Sequence, residues 1–364
     1  VRKAFILESP YIKRNLFVYE AYNNGKYTME EKKEMFPHLF NSLSIVIPVL
    51  SSTFASVGRF LKHAGNMSLG MLIIDESGQA VPQSALGAIY RTRRAVVVGD
   101  PLQVEPVVTI PKVLIDILAD STCVANAYKV IENSAQTFAD NINEFNGMIG
   151  ERQVGCPLVV HRRCIEPMFS ISNLISYDNR MFNKTNKKEE YLKPENPFLI
   201  KKSGWINVEG TENGSKDHFV KNQAERVCQL MEDAVHIYSD LFETDDKIFI
   251  ITPFRTVAES MRKFIISYFS VKGYDKQILS KWTKNCVGTV HTFQGKDANE
   301  VLLVLGCSNK STGAMNWVVK KANILNVACT RAKYRIAFIG NINDWKNRRY
   351  FREFIPSFID IINV

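Results

Sequence analysis

The sequence predicts an α/β protein of two lobes built on mainly parallel sheets. Three observations carry that prediction. Short, continuous Val/Ile-rich runs alternate with amphipathic or loop segments, as parallel strands covered on both faces do. The runs form two groups, 44–50, 71–75 and 95–99, then 204–208, 247–252, 286–290, 301–306 and 335–340. A long, mostly helical stretch separates them, so the boundary is expected near Gly150, giving domains of 1–150 and 151–364. A length of 364 residues fits two domains of ordinary size, and 46% hydrophobic residues supply their cores.

Taken in order, the first forty residues interleave Tyr11, Phe17, Tyr19, Tyr22 and Tyr27 with Lys13, Arg14, Lys26, Lys32 and Lys33. Such interleaving can stack bases and grip phosphates. The preferred reading is an accessory helical segment with its aromatics packed inward. The run 44–50 then leads into Ser51-Ser52-Thr53-Phe54. Next comes Leu72-Ile73-Ile74-Asp75-Glu76-Ser77-Gly78-Gln79-Ala80, an apolar strand delivering two adjacent carboxylates. The first can hold a magnesium ion and the second can polarise a water against a terminal phosphate. Taken alone, it is equally an acidic strand end where a loop begins.

One βα unit later, Ala95-Val96-Val97-Val98-Gly99-Asp100-Pro101-Leu102-Gln103 is another apolar strand, closed by a tight turn and an amide. If the two strands are parallel neighbours, Gln103 lies on the same sheet edge as the carboxylates. There its amide can reach both a γ-phosphate oxygen and an attacking water. The region 110–147 reads as helical, and 183–202 reads as an exposed lysine-rich loop with two prolines.

The Asp75-Glu76 and Gln103 segments resemble the Walker B and glutamine-sensor motifs of superfamily 1 helicases. The second group completes the resemblance. Ile248-Phe249-Ile250-Ile251-Thr252-Pro253-Phe254-Arg255 is similar to that superfamily's TPY motif, with Phe254 for Tyr. Val287-Gly288-Thr289-Val290-His291-Thr292-Phe293-Gln294-Gly295-Lys296-Asp297 is similar to GTVHTFQGKE, with Asp297 for Glu. Leu325-Asn326-Val327-Ala328-Cys329-Thr330-Arg331-Ala332-Lys333 resembles LNVALTRAK, the arginine-finger motif. Val160-His161-Arg162-Arg163-Cys164-Ile165-Glu166-Pro167 resembles QYRMHP, with one extra residue before the proline. The branch resembled is that of the nonsense-mediated-decay RNA helicase and related bacterial DNA helicases.

The resemblance implies two RecA-like lobes, the first incomplete, with ATP and Mg²⁺ bound between them, and movement along a single strand from 5′ to 3′. It makes Asp75 the magnesium ligand, Glu76 the general base and Gln103 the phosphate sensor. Arg331 becomes the finger that reaches the γ-phosphate. Arg163 would face the phosphates, with Arg162 taking that role if the register slips. Gly295 and Asp297 would approach the nucleotide, although Asp is one methylene shorter than the usual Glu. Thr53, Thr252, Phe254, Thr289 and His291 would touch the strand backbone, where hydroxyls and amides track phosphates without reading sequence. For Thr53 and His291, local turn capping is the competing role.

No Gly-x-x-x-x-Gly-Lys-Ser/Thr occurs in the 364 residues, so no motif here cradles phosphates through backbone amides and a lysine. The expectation is a C-terminal portion of a longer helicase whose phosphate loop lies upstream, the portion alone having negligible ATPase activity. Two rivals stand beside it. One is a non-catalytic scaffold that grips single strands or partner proteins. The other is a translocase that moves without separating strands.

Composition narrows the setting. The formal charge of +9 fits a polyanionic partner, expected to be a single strand, DNA placed ahead of RNA although no base-reading module separates them. Seven cysteines stand singly with no C-x-x-C pair, and none of the six histidines has H-x-x-H or H-E-x-x-H spacing. That argues against zinc and disulfides and for a reducing cytoplasm, or a nucleus in a eukaryote. No apolar run is long enough to span a membrane, and the mean hydropathy of −0.11 is that of a soluble chain.

Overall fold

In the computed structural model the chain divides into two compact units. One holds Val1–Pro101 and Glu105–Asn143; the other holds Leu102–Val104 and Glu144–Val364. The structure describes every residue except 1, 104, 130–132, 150–151, 186–197, 213–216, 294 and 363–364. Gly150, most of the lysine-rich connection 183–202 and Gln294 therefore lie outside the described residues. No described helix is long and apolar enough to cross a membrane.

After the short helix Arg2–Glu8, the first unit continues with the helices Pro10–Asn23 and Met29–Val46. A capping box starts the second: the Thr28 N–H donates to the Glu31 carboxylate at 2.7 Å, and Thr28 Oγ1 accepts the Glu31 N–H at 3.3 Å. Phe36, Leu39, Phe40 and Leu43 follow at helical spacing and are buried. Tyr22 joins this cluster with Tyr19 and Tyr27 packed against it, so three of the N-terminal aromatics turn inward. Tyr11 and Phe17 stay outward. The strand expected over 44–50 is absent: the helix runs on to Val46, and residues 47–53 have no regular structure. The amphipathic period outweighs the β-branched run Ile45-Val46-Ile47, and Pro48 then forces Ile47 out of the helical region. The strands Leu72–Ile74 and Ala95–Val97 pair in parallel, with Ile74 opposite Val97.

The second unit is built on a six-stranded, wholly parallel sheet. In spatial order its strands are Asp360–Ile362, Gly204–Asn207, Ala332–Gly340, Ala298–Val304, Ile248–Thr252 and Val287–Thr289. Every residue of Ile248–Thr252 is buried, as continuous apolar runs in parallel sheets require. Helices such as Lys221–Ile237, Arg255–Val271 and Asn323–Arg331 bury apolar faces in the same core. Trp205 stacks on Phe338 at 5.7 Å between ring centroids, and its indole N–H donates to Gly340 O at 2.8 Å.

Two buried carboxylates pin opposite ends of this sheet. Glu300, near the start of its strand, accepts the N–H groups of Leu199 and Ile200 at 2.9 and 2.6 Å and the Tyr238 hydroxyl at 2.7 Å. Arg335 stands opposite it in register. Burial pushes the Glu300 carboxyl above the usual carboxylate range, while the donors from Ile200, Tyr238 and Leu199 pull it back. At the other end, Glu212 accepts the N–H of Ser308 at 2.7 Å, the Ser311 hydroxyl at 2.8 Å and His218 Nδ1 at 3.2 Å. Burial raises the Glu212 carboxyl, but these donors outweigh it and leave it below the usual range.

Glu300→Gln keeps the volume but turns an amide N–H₂ toward groups that are already donors. It should destabilise the protein by about 1–3 kcal/mol in urea unfolding; an unchanged midpoint would mean the donors find other acceptors. Glu212 gives a pH signature. A carboxyl depressed in the folded state stabilises fully above its unfolded value of about 4.3 and loses that contribution as pH falls through the folded value. The stability advantage of the wild type over Glu212→Gln should therefore shrink on acidification below about pH 4. An advantage that grows on acidification would reverse the assignment.

Candidate nucleotide and strand-binding residues

In the first unit the paired carboxylates sit where the strand Leu72–Ile74 ends. Asp75 is exposed and Glu76 half-buried. Asp75 Oδ1 accepts the Glu76 N–H at 2.9 Å, and Gln79 Nε2 donates to Glu76 Oε2 at 3.2 Å. Glu76 has φ 51° and ψ 36°, a left-handed conformation that costs a non-glycine residue free energy and often marks functional positions. The surrounding turn is closely fitted. A Cβ on Gly78 would lie 2.9 Å from Asp100 O, and one on Gly99 would lie 2.6 Å from Ser77 Oγ. Two glycines thus let the loops after the two parallel strands touch. Ser77 Oγ lies 2.8 Å from Val98 O and 2.6 Å from the Gln136 side-chain oxygen, which fixes the turn that carries Glu76. Hard oxygen donors of this kind, exposed to water, fit magnesium, which keeps several of its waters.

In the second unit the site gathers around Arg331, the last residue of the helix Asn323–Arg331 and fully buried. Its guanidinium donates to Lys296 O at 3.0 Å, Thr330 Oγ1 at 3.2 Å, Val327 O at 3.3 Å, and Phe293 O and Gln103 Oε1 at 3.4 Å each. Arg331 and Gln103, taken from motifs far apart in sequence, are thus brought together. Asn326, one turn earlier, holds the same stretch by donating to Leu102 O at 3.0 Å. It also donates to the Tyr177 hydroxyl and accepts Ser172 Oγ at 2.5 Å.

Asp297 lies between two cations, Lys333 Nζ at 2.7 Å and Arg163 Nε at 3.8 Å. Arg163, rather than Arg162, makes that ion pair. Its segment is anchored by the Ile165 N–H donating to Lys333 O at 3.1 Å. Gly295 sits exposed in the same turn with φ +76°, a conformation glycine adopts at no steric cost. Cys164 beside Arg163 is not a nucleophile: burial pushes its thiol up to about 12. Sequence reasoning singled out neither Lys333 nor Asn326, although both stand in the quoted LNVALTRAK-like segment. The available signal was helical spacing, since Asn326 and Arg331 lie on the one short helix.

The expected strand-contacting residues divide by exposure. Thr53 is exposed at the N-cap of the helix Phe54–Phe60, and its hydroxyl makes no capping hydrogen bond. His291 is exposed and Thr289 half-buried. Thr252 and Phe254 have buried side chains. They are 1% and 8% exposed, because Thr252 Oγ1 turns back to accept the Phe254 N–H at 3.4 Å and Trp317 packs against Phe254. Neither side chain offers a surface to a strand. Among the described residues, one group could hold a metal through three side chains: Glu212, His218 and Cys307, whose ligand atoms lie within 4.8 Å of one another. The Glu212 oxygens there are already engaged by serine donors, so the group serves as a hydrogen-bonded strut.

Residues 145–343 match a family model described as an AAA domain, and residues 14–110 match a second model with that description. Among curated relatives, the probable helicase senataxin of Mus musculus is 22% identical over 87% of this chain and 11% of its own length. An uncharacterized ATP-dependent helicase of Methanocaldococcus jannaschii is 23% identical over 88% of this chain and 43% of its own. Regulator of nonsense transcripts 1 of Caenorhabditis elegans is 26% identical over 74% and 23%. The chain thus spans less than half the length of each. A solved structure of Arterivirus nonstructural protein 10 (helicase) with DNA is 12% identical, covering 78% of this chain and 42% of that one, with a TM-score of 0.35. The first family model alone covers more than half of the chain, and along the chain Asp75-Glu76, Gln103 and the Arg331 helix stand in order: the chain belongs to the superfamily 1 helicases.

Proposed function

We propose that the protein couples ATP hydrolysis to movement along a single nucleic-acid strand, from 5′ to 3′. The observation that carries this reading is the contact between the Arg331 guanidinium and the Gln103 amide. It joins the two groups that would sense and neutralise a γ-phosphate. Four of the hydrogen bonds that Arg331 donates are long for N–H···O bonds, at 3.2–3.4 Å. The guanidinium can exchange them for phosphate oxygens while Lys296 O keeps it aimed. Asp75 would hold the magnesium ion and Glu76 would take the proton of the attacking water. Bound magnesium supplies positive charge across the phosphate oxygens.

The phosphate grip is proposed to come from an upstream helicase segment, because these 364 residues contain no G-x-x-x-x-G-K-[ST]. That absence also favours a second reading, a strand-binding or partner-binding scaffold without turnover. ATP hydrolysis separates the two. In a protein that joins a phosphate loop to these residues, Glu76→Gln and Arg331→Lys should each lower ATP turnover by about 10²–10³-fold or more. Arg331→Lys keeps the buried charge, so folding can be checked independently by the thermal midpoint. Turnover within a few-fold of wild type would remove the residue from the mechanism. Steady turnover by the 364-residue chain alone would overturn the assignment of the phosphate grip.

A further inference from the structure

The exposed indole of Trp317 is assigned no role by the family motifs or by the site described above. Three of the four tryptophans are buried: Trp205 and Trp345 at 0% exposure and Trp282 at 1%. Trp317 is 51% exposed. It lies on the short helix Thr312–Val318, whose inner face is set by fully buried Met315 and Val318.

The position is built rather than accidental. Phe254 lies 5.8 Å from the Trp317 ring, tilted by 36°, and His218 backs Phe254 at 4.7 Å. This aromatic underlay restricts the indole from one side. The residue four positions before Trp317 stands on the same face of the helix. That residue is Gly313, where an added Cβ would meet nothing within 4 Å. One aromatic face is therefore propped and the space beside it is open.

The surroundings are cationic. Lys310, Lys320 and Lys321 are exposed on either side of the helix, and Arg348 donates to Asn316 Oδ1, next to Trp317, at 2.6 Å. The location also favours a ligand. Phe254 follows the strand Ile248–Thr252 and the helix follows the neighbouring strand Ala298–Val304, so the platform stands at the carboxyl ends of adjacent parallel strands, where α/β sheets bind ligands. An exposed aromatic flanked by lysines suits a nucleobase with its phosphates, and a cationic rim disfavours an apolar protein partner.

We propose that Trp317 is a base-stacking platform for single-stranded nucleic acid, with Lys310 and Lys320 engaging the flanking phosphates. The proposal rests on the reading that this chain binds single strands. Because the other three indoles are buried, acrylamide quenching of intrinsic fluorescence reports Trp317. The experiment titrates the chain with fluorescein-labelled oligothymidylate and oligouridylate at low salt. Anisotropy is followed in one channel and acrylamide access to tryptophan in unlabelled samples. Binding should shield the quenchable indole, and Trp317→Ala should weaken affinity by about 5- to 150-fold with Trp317→Phe retaining most of it. Lys320→Ala should flatten the salt dependence. Equal affinity of Trp317→Ala and wild type, with the indole still quenchable in the complex, would overturn the platform while leaving strand binding intact. No anisotropy change with either oligonucleotide would overturn the strand-binding reading and the platform with it.

Discussion

The second unit depends on placing an entire guanidinium out of water. An uncompensated buried cation is among the most costly groups a fold can contain, so the chain must surround Arg331 with acceptors. It does so from three places at once. Val327 O and Thr330 Oγ1 come from its own helix, Phe293 O and Lys296 O from the turn after the Val287–Thr289 strand, and Gln103 Oε1 from the stretch that follows Ala95–Val97. A lysine has neither the planar fork nor enough donors to serve so many directions. The same requirement that keeps the cation solvated by protein therefore sets the position of the Gly295–Asp297 turn and of the Gln103 amide.

The two ends of the parallel sheet solve different problems. Near the strand starts, Glu300 holds the 199–200 segment and the end of the helix Lys221–Ile237 through Tyr238. That is architecture. At the strand ends the chain needs loops that project, and Glu212 supplies the acceptor for the Ser308 and Ser311 turn that launches the Trp317 helix. Gly306, with φ +62° and His218 O only 2.7 Å from where a Cβ would stand, lets that turn close. A buried carboxylate and a glycine thus deliver a surface aromatic.

The sequence made the central strands legible because burial on both faces leaves an unbroken apolar run, as in Ile248–Thr252 and in Val301–Val304 of its neighbour. It misled at 44–50, where a β-branched run closes a helix whose start and period lie upstream. The acidic pair was legible because adjacent carboxylates after an apolar strand are a local pattern. The burial of Phe254 was not, since it depends on Trp317 and His218, which topology alone brings alongside. Arg331 was legible as important but not as buried. Its motif fixes residue type, whereas its burial follows from three separate segments meeting.

The contrast between fixed and available charge separates scaffold from chemistry. Arg331, Glu300 and Glu212 have buried side chains and use their hydrogen-bonding capacity on their own chain. Asp75 is exposed, while Asp297, Lys333 and Arg163 keep roughly a third of their side chains open. Exposed ion pairs of that kind add little to stability, about 0–1 kcal/mol. Their geometry is then better explained by what they hold ready than by what they hold together. Asp297 is a carboxylate held between two cations, Lys333 and Arg163, with Gly295 leaving the backbone beside it uncovered. Arg331 belongs to the first class: a buried anchor whose hydrogen bonds hold its own helix, the 293–296 turn and Gln103 together.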